Sequence, residues 1–289
     1  MTRASVVCRT LLALAGIGLA VLAHADAPPA KPAATAVVLS IDGAIGPITA
    51  DYVARGIQDA VAGGAAVVVL RLDTPGGLDH SMRDIIRSIL SSPVPVASFV
   101  APGGSRAASA GTYIMYASHI AAMAPGTNIG AATPVSLFSS TPLPGAEAPD
   151  DKGTASKPTD KAPPAKDAEL TKVVNDSVAY IRGLAMLRGR NADWAEAAVR
   201  EAVSLPADAA LKEHVIDLIA DNVPDLLRQI DGRTVTLLGK PHKLATANLA
   251  IVDRPPGFRV RFLGVITDPN VAYLLLLAGV WGLIFEFSN

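Results

Sequence analysis

Ser109 stands in the run Ala107-Ala108-Ser109-Ala110-Gly111-Thr112-Tyr113-Ile114. A serine among small residues, two places before a glycine, can occupy a sharp turn that opens a helix. Its hydroxyl is then exposed, and the Ala110 N–H faces the same space. An acyl-transfer nucleophile needs that arrangement. A second oxyanion donor can come from Asp73-Thr74-Pro75-Gly76-Gly77, where two glycines let backbone pass close to a ligand. The Gly77 N–H would then share a developing oxyanion with Ala110. Read alone, the same residues also suit an ordinary strand-to-helix turn.

A serine needs a base. His80, His119, His214 and His242 lie where no neighbour suggests catalytic partnership. Lysine is the alternative base. Most lysines fall in a polar stretch or near the C-terminal third. Lys172 instead sits in the first turn of an amphipathic helical segment, beside its apolar stripe. A lysine acting as base near neutral pH must be destabilised in its charged form by ~3 pKa units, and burial and a helix N-terminus both push that way. A solvated first-turn lysine is the plainer reading. Arg182, Arg188 and Arg190 suit helix-end surface positions or a substrate carboxylate. Asn191 suits a helix cap, with Trp194 a core contact. No acidic or histidine cluster completes a metal site.

The elements that must position these groups alternate. Strands are expected at Ala36 to Ile41, Ala65 to Leu72, Val94 to Val100, Ile120 to Met123 and Val215 to Ala220. Helices are expected at Ile48 to Val61, about Asp79 to Leu90, from Ser109, from Glu169 to Gly189 and from Asn191 to Ala202. Leu205 to Leu211 reads as a helical turn or two. Thr234 to Leu238 and His242 to Ile251 read as edge strands or a hairpin. Continuous apolar strands between helices indicate an α/β fold with a parallel or mixed sheet. Phe138 to Asp167 breaks the pattern with Pro, Ser, Thr, Lys and Asp, and reads as a mobile loop over the cleft.

Both chain ends are apolar. Arg3 and Arg9, Leu11 to Leu22 and Ala23-His24-Ala25 form a secretory leader or an uncleaved anchor. Val271 to Phe285 is apolar throughout, behind Asp268 and Pro269, and suits a membrane helix or a buried one. The net charge of −1 gives no nucleic-acid footprint. The single cysteine, Cys8, falls in the leader, which excludes disulfide and thiolate chemistry from the exported body.

Taken in order, Asp73-Thr-Pro-Gly-Gly77, Ala107 to Ile114, Met123-Ala-Pro-Gly-Thr-Asn-Ile-Gly-Ala131, Lys172-Val-Val-Asn-Asp176, Ala179-Tyr-Ile-Arg182 and Leu187-Arg-Gly-Arg-Asn191 closely resemble NfeD-like proteins. These are membrane-bound serine proteases of the ClpP class, also called stomatin operon partner proteins. The resemblance covers about residues 36 to 230 and the membrane segment beyond. It implies a ClpP/crotonase-like core of repeated β-β-α units, followed by the start of a C-terminal transmembrane helix. It implies a Ser-Lys dyad: Ser109 as nucleophile, Lys172 as base, Gly77 and Ala110 as the oxyanion hole, no metal and no cofactor. Gly76, Gly103 and Gly104 would line the path of an extended substrate. Lys166 competes with Lys172 by proximity but lacks the Lys-x-x-Asn-Asp context.

The implied organisation is a signal peptide at 1–25, a linker at 26–35 and a protease domain at 36–232 with an insertion at 138–168. A connecting hairpin at 233–262 and a transmembrane segment at 263–289 follow. The implied activity is endopeptidase cleavage of apolar segments in a stomatin-like membrane partner. The protein would be a homodimer in contact with membrane lipid, with its catalytic domain exported and no nucleic acid bound. A crotonase-like acyl-CoA thioester enzyme and a non-catalytic membrane scaffold are the alternatives.

Overall fold

The structure, a computed structural model, describes residues 34–134, 165–258, 260, 262 and 269–287. The expected leader and nearly all of the expected insertion lie outside the described residues.

Six strands form one all-parallel sheet in the order β11-β1-β2-β3-β5-β8. They are β1 (Thr35–Asp42), β2 (Val67–Asp73), β3 (Val96–Val100), β5 (Ile120–Met123), β8 (Leu218–Ile219) and β11 (Ala250–Asp253). Side chains alternate across a strand, and here both faces are covered. Val37, Leu39 and Ile41 of β1, with Val68, Leu70 and Leu72 of β2, enter one core. Val38, Val67 and Val69 enter the other.

The first core packs against α1 (Pro47–Ala62), α2 (Asp79–Leu90), α3 (Ala110–Ala117), α4 (Ala165–Arg188) and α5 (Ala192–Arg200). The second is closed by α7 (Val223–Ile230) and by the hairpin of β9 (Thr234–Leu237) and β10 (Lys240–Lys243). The result is a helix–sheet–helix layering with unequal sides.

Short extended pieces form a second, smaller layer at the carboxyl ends of the main strands. Ile45 bridges Gly77, and Thr74 bridges Ala107. Beyond them β4 (Arg106–Ala107), β6 (Asn128–Gly130) and β7 (Ser204–Pro206) make a three-stranded sheet, and α6 (Ala207–Lys212) follows β7. β1, β2, β3 and β5 each run into a short extended piece that pairs with a neighbouring one before the next helix.

Several expectations need correction. α4 starts at Ala165, so 165–168, assigned to the mobile loop, are already helical. The strand expected over Val215 to Ala220 shrinks to Leu218–Ile219, because Asp217 turns its carboxylate back to the Ala121 N–H. The segment through Ile251 splits: β10 completes the hairpin, while β11 returns to the main sheet beside β1. α7 was not foreseen.

The expected transmembrane helix corresponds to α8 (Pro269–Phe287), yet among the described residues no helix is long and apolar enough to cross a membrane. Asn270 and Glu286 bound its apolar run, which falls short of the ~20 residues a span requires. Its apolar side chains are nonetheless exposed, Leu274 at 64% and Phe285 at 69%.

Candidate active site

The glycine turn is built first by the sheet. After β2 the chain stays extended, held by bonds from the Gly43 N–H to the Asp73 carbonyl and from the Thr74 N–H to the Arg106 carbonyl, each 2.8 Å. The Thr74 hydroxyl then accepts from the Gly76 N–H at 3.0 Å and turns the chain. Gly76 has φ +112, a conformation side chains rarely adopt. A Cβ there would lie 2.5 Å from the Ser109 Cβ, so the absent side chain is what lets Ser109 approach. At Gly77 a Cβ would meet the Ile45 carbonyl oxygen at 2.0 Å.

Ile45 donates to the Gly76 carbonyl and accepts from the Leu78 N–H, both at 2.8 Å. In a parallel bridge of this kind the N–H of the intervening Gly77 faces away from Ile45. It has no acceptor among the described residues.

Ser109 precedes the first residue of α3 with φ 49 and ψ −116, a strained setting for a non-glycine residue. Main chain imposes it. The Ser109 N–H donates to the Ala131 carbonyl at 2.6 Å, and the Ala108 N–H to the Thr74 carbonyl at 3.1 Å. Ser109 is half-buried, and its hydroxyl has no hydrogen-bond partner among the described residues. The Ala110 N–H is one of the donors a helix start leaves unpaired, and it too has no acceptor there. The structure therefore brings together Gly76, Gly77, Ser109 and Ala110: a free hydroxyl beside two free N–H groups. Such a pocket suits a carbonyl oxygen that gains charge, and losing one such donor typically costs ~10²–10³ in rate.

Gly103 and Gly104 lie in the exposed loop between β3 and β4. They pack on the Pro125-Gly126 turn, with the Gly104 N–H bonded to the Gly126 carbonyl at 3.1 Å. They support the strand preceding Ser109 rather than touching its hydroxyl pocket.

Lys172 is exposed, and no hydrogen bond joins it to Ser109. The apolar stripe expected to shield it is covered only from Val174 onward. Leu170 and Val173 remain 50% and 46% exposed, because the first turns of α4 overhang the core.

The register of α4 is nevertheless specific. Tyr113, one turn into α3, donates its hydroxyl to the Ala132 carbonyl at 3.4 Å and stacks on Tyr180. Arg188 Nε donates to the Ala117 carbonyl at 2.8 Å at the far end. The two helices thus run parallel. Asp176, on the same flank as Lys172 by i,i+4 spacing, bonds Arg83 one turn into α2 at 2.6 Å. That bond ties the turn after Lys172 to the helix that follows the glycine turn.

Tyr113 is no competing base: burial pushes its phenol up to about 12, so it stays a neutral donor. His119 is buried at the far end of α3. Burial, with help from Arg188, pushes it down to about 3, and its Nδ1 accepts from the Val96 N–H at 3.1 Å.

Arg190, read from sequence as a surface group, is buried. It donates to the Met115 and Tyr116 carbonyls at 2.9 and 3.0 Å and to Asp217 at 2.6 Å, closing the carboxyl end of α3. Sequence reasoning missed this role. The signal available was an arginine between a glycine and a helix-capping asparagine, a site where it can turn inward. Asn191 caps α5 as expected, accepting from the Asp193 and Trp194 N–H groups, and Trp194 stacks on Tyr116.

Residues 35–141 match the family model described as NfeD1b, N-terminal domain. The chain is 38% identical over 252 residues to the membrane-bound protease PH1510 of Pyrococcus horikoshii, covering 86% of this chain and 52% of that protein. It is 43% identical over 84 residues to the membrane protein NfeD1b of Bacillus subtilis, covering 29% of this chain and 18% of that one. The chain thus spans about half the length of the first relative and less of the second.

Among solved structures, it resembles the 1510-N membrane-bound stomatin-specific protease, a lysine-to-alanine variant in complex with a substrate peptide. The TM-score is 0.69 at 34% identity, over 82% of this chain and all of that one. A serine-to-alanine variant of the same protease matches with TM-score 0.65 at 33% identity, over 78% of this chain and all of that one.

Proposed function

From the premise that the chain belongs to the NfeD-like family, which includes the stomatin-specific membrane protease 1510-N, we propose that it is a membrane-tethered serine endopeptidase with a Ser109–Lys172 dyad. The observation that carries this reading is the backbone setting of Ser109. A strained serine with a free hydroxyl stands at a helix start beside two acceptor-free N–H groups.

The reaction follows from those positions. Ser109 Oγ attacks the scissile carbonyl carbon while neutral Lys172 Nζ removes the hydroxyl proton. The Gly77 and Ala110 N–H groups hold the oxyanion. Collapse breaks the C–N bond as Lys172 returns its proton to the leaving amine. Water, deprotonated by Lys172, then attacks the acyl-serine, and Ser109 Oγ recovers the proton as the acid product leaves. The register of α4 supports Lys172 as base. Lys172 is exposed in the free protein, so bound substrate would cover it.

The extended pieces after β1, β2, β3 and β5 support a ClpP/crotonase-like core of β-β-α units. The exposed apolar α8 supports attachment to membrane lipid. The stomatin specificity of the 1510-N protease supports a stomatin-like protein as substrate, cleaved in an apolar segment. Gly76, Gly103 and Gly104 would border the extended substrate. A homodimeric, exported catalytic domain completes the proposal, with the 1–25 leader directing export and 233–262 connecting it to the membrane segment.

The test is a serine-reactive fluorophosphonate and a fluorogenic apolar peptide, applied to the full chain in detergent. Labelling and cleavage are expected, with labelling lost in Ser109→Ala and cleavage lost in Ser109→Ala and Lys172→Ala. Full cleavage by either variant would overturn the dyad. Loss in Lys166→Ala with survival in Lys172→Ala would move the base.

A further inference from the structure

Asn175 and Asp176 follow Lys172 by three and four residues, and each is held by an arginine from a different helix. Arg200 of α5 donates to Asn175 Oδ1 at 3.2 Å while its Nε is fixed by Glu196 at 2.6 Å. Arg83 of α2 donates to Asp176 at 2.6 Å while its Nε is fixed by Asp79 at 2.9 Å. Arg83 also lies 4.4 Å over the Tyr180 ring. These bonds grip α4 from two sides within one turn of Lys172, where apolar burial has run out: Val173 is 46% exposed and Asp176 is 68% exposed at its side chain.

Exposed ion pairs contribute only ~0–1 kcal/mol to stability. Two such clamps add little to folding. What they fix is the rotation and height of a helix end that hydrophobic contacts leave free. Arg83 has a further consequence. It joins α4 to α2, whose first residues follow the glycine turn directly.

We propose that Asn175 and Asp176 are positioning residues for Lys172, and that Arg83 and Arg200 are the clamps through which α2 and α5 hold them. The proposal rests on Lys172 as the base. Displacement by about 1 Å can cost up to ~10²-fold in rate, so a clamp on this turn governs kcat rather than binding.

The experiment uses the full chain in detergent, a fluorogenic apolar peptide, and the variants Arg83→Met, Asp176→Asn, Arg200→Met and the exchanged pair Arg83→Asp with Asp176→Arg. Arg55→Met, which breaks an exposed pair with Asp51 on α1, is the control. Arg83→Met, Asp176→Asn and Arg200→Met are expected to lower kcat roughly tenfold with KM within about twofold and melting temperature nearly unchanged. The exchanged pair should recover most of the loss. In Asp176→Asn the plateau of the pH–rate profile should fall while its acid limb stays in place.

Wild-type kcat in Arg83→Met and Arg200→Met, with Lys172→Ala inactive, would overturn the clamp and leave the dyad standing. An acid limb moved to lower pH at an unchanged plateau would also overturn it, since Asp176 would then act through charge alone. Activity in Lys172→Ala would instead remove the premise.

Discussion

Around Ser109 the fixing contacts are made by main chain: the Ala131 carbonyl, the Thr74 bridge and two glycines with no room for a carbon. Around Lys172 they are made by the tips of long side chains, Arg83 and Arg200, on a helix end that overhangs the core. The first arrangement is rigid because moving it breaks a sheet. The second can be displaced without unfolding anything. Under the proposed Ser109–Lys172 reading, the oxyanion hole gains from being fixed in advance, whereas the base is left in a setting that substrate completes. The difference teaches where each half of the site tolerates change.

The largest expected effect is at Gly77. Gly77→Ala places a carbon where the Ile45 carbonyl oxygen already lies. It should cost more than ~3 kcal/mol in urea unfolding, whereas Lys172→Ala should cost less than ~0.5 kcal/mol. Equal losses would break the comparison.

Acid comes next. The buried side carries His119, which stays neutral when folded down to about 3. The unfolded chain takes up that proton below ~6.5 and the folded one does not, so stability falls as pH drops through this window. The loss attributable to His119 at pH 4 should be ~3 kcal/mol. His119→Gln should flatten unfolding free energy between pH 6.5 and 4; an unchanged slope would remove His119 as the cause.

Smaller still, Ser109→Gly should relieve the strained φ and raise stability by about 1 kcal/mol while abolishing fluorophosphonate labelling. A destabilised Ser109→Gly variant would show that the elbow is not strained. Smallest of all, Leu170→Ser and Val173→Ser should leave unfolding within ~0.5 kcal/mol of the parent. A larger loss would mean that the overhang is packed in solution.

Much of the fold can be read from the chain. β1, β2, α1 and α2 lie within a residue or two of their expected bounds, since unbroken apolar runs and Gly or Pro boundaries are local signals. β4 and β6 escaped because two or three residues carry no periodicity. α7 escaped although Asn222 caps it and Pro224 opens it; eight residues give a helix little pattern to read. β11 escaped because parallel pairing with β1 leaves no mark on either segment. Arg190 was misplaced because a charged residue reads as surface unless its partners, three backbone and side-chain acceptors, can be seen.

For the site, sequence by itself determined the chemical types: a serine in a small-residue turn, a glycine pair after a strand, and a lysine one turn before Asn-Asp. Each is a short-range fact, because backbone freedom and hydroxyl or amine reactivity belong to single residues. Only the tertiary structure decided that Gly76 lies against Ser109, that the Gly77 and Ala110 N–H groups are both left without acceptors, and that Lys172 stands on an overhang gripped by two distant arginines. Those outcomes depend on how parallel strands and the helices above them align in space. That alignment is set by packing summed over the whole core.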